Sequence, residues 1–506
     1  MRWWKAIGRR TGMRQNRITG RQASQGLRAT LASALLALLL APGSGHADLM
    51  ADIAALSTNT DSPVNWPEPP QPRSRSSRGQ ATIAPLFSSE QGSWPFEPFT
   101  HNGLFAVIAN YQQQHPRGVH LRGGDVDLAT LQRQLGDSRV LRPHKDGYLL
   151  SYPVVIGVDA GLIVQDTTLY LDIYAGAAII NRGDLTVQDA TVTVWQGQRP
   201  RARIAQYRPF ITGWAGSRTW LDGAVLDRLG YDAHLSRGLT LARSQAQSAN
   251  LPPARLVARH SRFDNLSSGL ELRQGEAWIS DSEFHRNRHY GIDAIDSRLR
   301  VRTSEFRDTR LNSSLRVQGD SRLRVTDTLF AGAHKSALES PGFSGELTLL
   351  RSVIGHSGSH GLALSANGPA RLRLADSVVA GNQLSGVQLQ GPIQATLTGN
   401  RFRHNRRPAL RVDARQPAGE VELLLWRNHI GRSDQAMLTG AALARLAMAD
   451  NQLELATIEY DWLQGYLAPL QSELAQQLFR HGCPVDIRAD EHNRPRFQAT
   501  GRRGCP

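Results

Sequence analysis

From residue 162 to about 455 the chain alternates apolar and polar positions in short bursts that return every 21 to 28 residues. A recurrence of that length marks a stacked architecture, in which each unit buries its apolar face only against its neighbours. Each repeat has three registers. The first is a single core position: Phe263, Phe284, Phe306, Phe330, Ile354, Val379, Phe402, Ile430 and Leu453. The second is a spaced pair, as in Leu270 and Leu272, Ile292 and Ala294, Leu315 and Val317, or Val387 and Leu389. The third opens with Trp278 and continues as Leu299 and Val301, Leu323 and Val325, Leu347 and Leu349. A two-residue spacing sends one side chain inward and the next outward. Three short strands per turn, separated by Gly, Asn, Asp and Ser, predict an all-β chain: a right-handed parallel β-helix over 156–456.

A solenoid must cover its open ends or leave strand edges exposed. Leu467, Leu470, Leu474 and Leu478 share one helical face, which predicts a C-terminal capping helix within a cap and tail over 457–506. The mixed stretch 87–155 reads as an N-terminal cap region with a short helix over Asp127–Leu135, and the Pro/Ser/Arg-rich stretch 48–86 as a linker. Asn265, Asn287, Asn382 and Asn405 recur just after core positions. They are expected at corners, where left-handed backbone and bonds to adjacent turns are needed.

The net charge is +15, but the first 47 residues hold eight Arg or Lys and no acid, leaving +7 for the rest. Those residues read as a cleaved export signal: a basic start, an uncharged Ala/Leu run over Ala29–Ala41, and small residues at Gly45 and Ala47. That run is too short to span a bilayer, and no other stretch approaches the length needed, so a periplasmic protein with no transmembrane segment after signal removal is expected. Export argues against nucleic acid and leaves an acidic polysaccharide as the expected partner of the basic excess. The two cysteines, Cys483 and Cys505, are expected to pair and staple the tail. Their spacing supports no zinc site, and no cofactor motif is present.

The outward positions of the second strand read Glu271, Asp293, Arg316, Glu339, Ala363, Gln388 and Arg411, beside a row containing Arg273, Ile295, Gln318 and Asp413. Rungs about 4.8 Å apart present charged groups at nearly one sugar unit each, which suits an extended acidic polysaccharide.

Several segments bear on what that groove does. Arg208-Pro209-Phe210-Ile211-Thr212-Gly213-Trp214, Leu229-Gly230-Tyr231, Ser236 to Leu241, and Tyr290-Gly291-Ile292-Asp293 occur in that order. His120 to Gly124 precedes them, and Asn382 to Val387 and Asn405-Arg406-Arg407 follow. Together, over roughly residues 100 to 490, the chain resembles the periplasmic mannuronan C5-epimerases of alginate biosynthesis. The resemblance implies a β-helix that binds polymannuronate in its groove and inverts C5. It also permits a place beside periplasmic exopolysaccharide secretion proteins. Such chemistry needs a base for the C5 proton, a cation for the developing enolate and a proton donor on the other face.

In that family the parts centre on an Asp-Pro-His-Asp motif whose His is regarded as the base. Here the stretch is Asp293-Ala294-Ile295-Asp296, so both carboxylates remain and Ile295 replaces the His. Asp293, Asp296 and Arg316 are therefore the expected catalytic residues. Tyr290, Glu271, Arg273, Gln318, Glu339, Gln388 and Arg411 are the expected substrate-binding ones, with no metal. His285 and His289 are further base candidates before the strand, and His356 and His360 lie nearly three rungs on. Two alternatives stand beside an epimerase: an inactive polysaccharide-binding scaffold of a secretion complex, and a lyase on the same fold.

Overall fold

The computed structural model describes residues 69–497, apart from 74, 76, 88–93, 101, 198–206, 414–420, 442, 455–460, 482 and 493. The expected export signal and most of the linker lie outside the described residues.

Three long sheets wind into one right-handed parallel β-helix. Among the described residues they hold 15, 15 and 14 strands, and between the ends each strand pairs parallel with the equivalent strand one turn away. The predicted registers hold except at Trp278, which faces outward opposite Arg300 while Ala277 and Ile279 take the inward positions. In the third sheet Leu226, Phe263, Phe284, Phe306 and Phe330 are consecutive partners, and the line continues through Ile354, Val379, Phe402, Ile430 and Leu453. Phe263, Phe284, Phe306 and Phe330 stack with centroids 4.4 to 4.8 Å apart and rings within 15° of parallel. Identical side chains in identical rungs have no other choice than face-to-face contact, and the stack fills the coil with almost no accessible surface.

Corners divide the work between two neighbouring positions. The left-handed residue is Asn265, Arg286, Asp308, Gly332, His356, Gly381 and His404 in successive turns. The buried amide stands one residue later, at Asn287, Asn382 and Asn405. Of the four asparagines expected to be left-handed, only Asn265 is. The other three face inward, and their amide groups bond backbone of adjacent turns, as in Leu266 N to Asn287 Oδ1 at 3.0 Å and Asn287 Nδ2 to Phe263 O at 3.2 Å. A second inward ladder runs Ser261, Ser282, Ser304 and then Ser352, Ser377, Asn400, Asn428 and Asn451, each accepting from the backbone N–H one turn before. These ladders satisfy polar backbone that the corners would otherwise bury unpaired.

The ends differ from expectation in extent. Parallel pairing begins at Arg117–Arg122 with Val154–Ile156, ahead of the boundary expected at 156. Part of the linker is ordered: Gln80–Pro85 lies antiparallel on Arg117–Arg122 and closes that sheet edge. The first turns lack the 21 to 28 residue signature because helix α2, Leu128–Leu135, replaces a corner, with Asp127 accepting from Thr130 N at 2.6 Å as its N-cap. At the other end a short helical segment over 468–480 places Leu467 and Leu474 fully inside, with Leu470 and Leu478 packed against the core, as the leucine spacing predicts. Cys483 is disulfide-bonded. Cys505, expected as its partner, lies outside the described residues. Among the described residues no helix is long and apolar enough to cross a membrane.

Candidate functional site

The outer face of the first sheet is covered at one end and open at the other. Its early outward residues, Val155, Ile180, Trp214 and Ala242, form a second apolar core with Phe96, Phe99 and helix α1, Leu104–Gln112. Tyr231 tethers this layer through its hydroxyl to Asn102 O at 2.8 Å, and Asn102 Nδ2 donates to Ser236 Oγ at 2.9 Å. Gly230 has φ 79°, and a Cβ there would stand 2.2 Å from the backbone of Arg237. Only glycine allows that turn. The segments Arg208 to Trp214, Leu229 to Tyr231 and Ser236 to Leu241 thus supply two strands of the covered part of the sheet and the turn that anchors its cover, and the charged row begins where that cover stops.

The row itself has the predicted register: Thr240, Glu271, Asp293, Arg316, Glu339, Ala363, Gln388 and Arg411 are successive partners. At its covered end the side chains interlock. Asp293 is fully buried and accepts from Arg316 Nε at 2.8 Å and Nη2 at 2.6 Å, and from Arg273 Nη2 at 2.7 Å. Arg273 Nη2 also reaches Glu271 Oε1 at 2.6 Å, and Thr240 Oγ1 donates to Glu271 Oε2 at 3.1 Å. Arg316 lies over the Tyr290 ring, 4.2 Å from its centroid. Ser313 Oγ donates to Glu339 Oε2 at 2.7 Å.

This geometry assigns parts that differ from the sequence expectation. Burial pushes the Asp293 carboxyl up, but the hydrogen bonds and charges of Arg316 and Arg273 outweigh it and hold the group below the usual carboxylate range. With both oxygens bonded, Asp293 fixes the two guanidiniums. Glu271 is likewise buried, 2% exposed, so it too is a support. Arg273 and Arg316, each about one-fifth exposed, form the accessible cationic surface. Asp296 stands at the corner after the strand with φ 50°, and its Oδ1 accepts from Asp320 N at 3.0 Å. Gly319 is pressed against it: a Cβ there would be 2.1 Å from Asp296 Oδ1. Asp296 is a corner brace. An Asp-x-x-Asp string cannot reveal this, because alternation ends at Ile295 and the chain turns.

Two neighbouring groups carry labile protons. Burial and the nearby Glu339 carboxylate push the Tyr290 hydroxyl up to about 12, against the pull of Arg316. His289 is lowered by burial and by Arg237, Arg288 and Arg316, against the opposing pull of Asp232. Its Nε2 is buried without a hydrogen bond, 3.7 Å from Asp232 Oδ2. A neutral imidazole has a lone pair able to accept a proton, a step that Asp232 favours and the surrounding arginines oppose. His285 instead belongs to the cluster of Asp264 and Arg262 on the third sheet.

The remaining predicted residues do not join this cluster. Gln318 donates to Pro341 O at 3.3 Å. Ala363 interrupts the charged row, and beyond it Gln388 and Arg411 gather on Asp413, with Arg411 Nε at 2.6 Å. That second cluster stands four rungs from Arg316, about 19 Å along the axis. His360 is buried at a corner beside it and accepts from Ser385 N at 3.2 Å, while burial and Arg411 lower it to about 4. His356 occupies a left-handed corner position. Among the described residues no group of three or more His, Cys, Asp or Glu could hold a metal ion.

Residues 254–402 match the family described as "Right handed beta helix region". The mannuronan C5-epimerase of Pseudomonas putida is 26% identical over 202 residues, covering 38% of this chain and 39% of that protein. That of Pseudomonas aeruginosa is 24% identical over 234 residues, 44% of this chain and 42% of its own length. The chain thus aligns with about two fifths of the curated relatives it matches. A crystal structure of the periplasmic alginate epimerase AlgG superposes with a TM-score of 0.65 at 15% identity, over 78% of this chain and all of that one. The chain is a right-handed parallel β-helix similar to the mannuronan C5-epimerases.

Proposed function

We propose that this protein is a periplasmic, alginate-type polyuronate C5-epimerase that takes an acidic polysaccharide along the open part of the first sheet. The observation that carries the reading is the Arg273–Asp293–Arg316–Tyr290 cluster at the first uncovered rung, in a chain similar to known epimerases. A uronate carboxylate placed on Arg316 and Arg273 would meet two guanidiniums already oriented by Asp293. Loss of the C5 proton puts a second negative charge into that carboxylate, so cations fixed beforehand favour the enolate over the ground state. His289, neutral and unbonded at Nε2, is the proposed base, and Tyr290 keeps its proton to a pH near 12 and is the proposed donor. The C5–H bond breaks toward one, the electron pair enters the carboxylate, and a new C5–H bond forms from the other, with inversion and no net redox change. His289 thereby takes the part that Ile295 cannot.

Proton NMR of polymannuronate incubated with the purified protein tests this: guluronate signals should grow in. An unchanged spectrum at protein concentrations that bind the polymer would overturn it. A second reading, a polysaccharide-holding scaffold beside secretion proteins, is favoured by one observation, the Ile295 side chain where the resemblance places a His. It predicts binding without turnover. A lyase would instead yield unsaturated ends that absorb in the ultraviolet.

A further inference from the structure

The second sheet, a different wall of the helix, carries a charge pattern that the site above does not use. Strands Arg298–Arg302, Arg322–Thr326, Glu346–Leu350 and Ala370–Ala375 are consecutive partners. Their outward positions hold Arg298, Arg300, Arg302, Arg322, Arg324, Arg371 and Arg373 against one acid, Glu346. Arg298 lies directly opposite Arg322, and Arg300 opposite Arg324. Like charges directly opposite across a ladder repel and destabilise a sheet. Arg298 reaches Glu276 Oε1 at 3.3 Å, but among the described residues Arg300, Arg302, Arg322, Arg324, Arg371 and Arg373 form no ion pair, and the Nε of Arg324 is buried without a hydrogen bond. On the first sheet, by contrast, Arg273 and Arg316 are each paired with a buried carboxylate.

Two further features describe what would compensate these arginines. Trp278 and Trp220 stand on the same outward column toward the N-terminal end, Trp278 under Arg300 at 5.5 Å and Trp220 under Arg259 at 5.1 Å. Flat aromatic faces beside guanidiniums suit the apolar faces of sugar rings whose substituents are carboxylates. At the edge of the same wall a cavity of about 490 Å³ opens between Arg322 and Arg371, with Asp320, Glu346, Gln394 and Glu422 in its lining. Hydroxyl-rich rings would bond its carboxylate and amide groups while their own carboxylates meet the arginines.

We infer that the second sheet is a separate binding track for an acidic polysaccharide, running along the helix axis and distinct from the first-sheet groove. A rung spacing of about 4.8 Å sets one cationic position per sugar unit or per second unit. That the anion is a polyuronate rests on the function proposed above, but the track itself does not. Such a surface would hold a long chain while the groove works on another part of it, raising the local concentration of reactive units.

The test uses the full protein and long polymannuronate, with tetramannuronate as the short probe. Arg300→Glu/Arg324→Glu/Arg373→Glu should weaken long-chain binding at least tenfold at low salt and flatten its salt dependence, while C5 exchange on tetramannuronate stays within twofold. Arg302→Ser/Arg322→Ser/Arg371→Ser, confined to exposed side chains, should weaken it in the same sense if the first variant melts early. Unchanged long-chain affinity in both variants would overturn the inference. So would tighter binding of phosphatidylglycerol vesicles or duplex DNA than of polymannuronate at equal salt. Loss of long-chain binding in a protein that never exchanges C5 protons would sink the epimerase reading and leave the track standing.

Discussion

Replacing Asp293 by Asn separates a catalytic aspartate from a structural one. The carboxylate is buried and receives three charge-assisted hydrogen bonds of 2.6 to 2.8 Å from two arginines. Asparagine keeps the shape but turns an NH₂ toward a guanidinium, takes the carboxylate from Arg316 and leaves Arg273 with Glu271 alone. Removing one member of a buried ion pair costs about 3–5 kcal/mol. Because Arg273 and Arg316 are about one-fifth exposed and recover some hydration, about 2–3 kcal/mol is the expected loss at pH 7. The pH dependence gives the signature. The folded carboxyl titrates below its unfolded value, so the unfolded chain holds more protons between the two and stability rises with pH there. The contribution is complete above the unfolded value of about 4 and disappears as pH falls through the folded one. Urea denaturation of both proteins should therefore show a gap at pH 7 that closes in acid below about pH 4. A variant as stable as the parent at pH 7, with only its turnover lost, would refute the structural role argued for Asp293.

Other outcomes follow from the same geometry. Tyr290→Phe retains the ring under Arg316 and should leave polymer affinity unchanged while abolishing C5 exchange, measured by NMR; undiminished exchange would remove Tyr290 as donor. Phe306→Ala empties one place in the stacked column and should cost about 3–5 kcal/mol by denaturation. Below pH 6.5 the unfolded chain protonates His360 while the folded one resists until about pH 4, so stability falls over that window by up to about 3 kcal/mol. His360→Asn, which keeps an acceptor for Ser385 N, should flatten that slope.

The fold was legible because a solenoid writes its contacts into its period. Each of Phe263, Phe284, Phe306 and Phe330 meets the same residue one turn away, so spacing alone identified the partners. Legibility failed where the period breaks. Gln80–Pro85 closes the sheet edge from within a stretch whose composition resembles a linker, because an end strand needs only one partner and no repeat. Trp278 opens the third register in the sequence but faces outward under Arg300, since Ala277 and Ile279 fill the coil at that rung.

The site divides in the same way. Alternation placed Glu271, Asp293 and Arg316 correctly on one outward row, but the row does not say which members are buried beneath the others. That depends on the lengths of Arg273 and Arg316, which fold back over Asp293. His289 was discernible only as a polar residue near a corner. What makes it chemically distinct is an unbonded nitrogen 3.7 Å from Asp232, a contact that joins segments more than 50 residues apart.

The most direct measurement is deuterium uptake at C5 of polymannuronate in D₂O, comparing the parent protein with Arg316→Ala. Deuterium should accumulate at C5 together with guluronate signals in the parent, and uptake should fall by at least a hundredfold in the variant, in which the polymer still binds. Uptake that survives the loss of Arg316, or a parent protein that binds polymannuronate and never exchanges its C5 proton, would contradict the assignment of epimerase chemistry to this cluster.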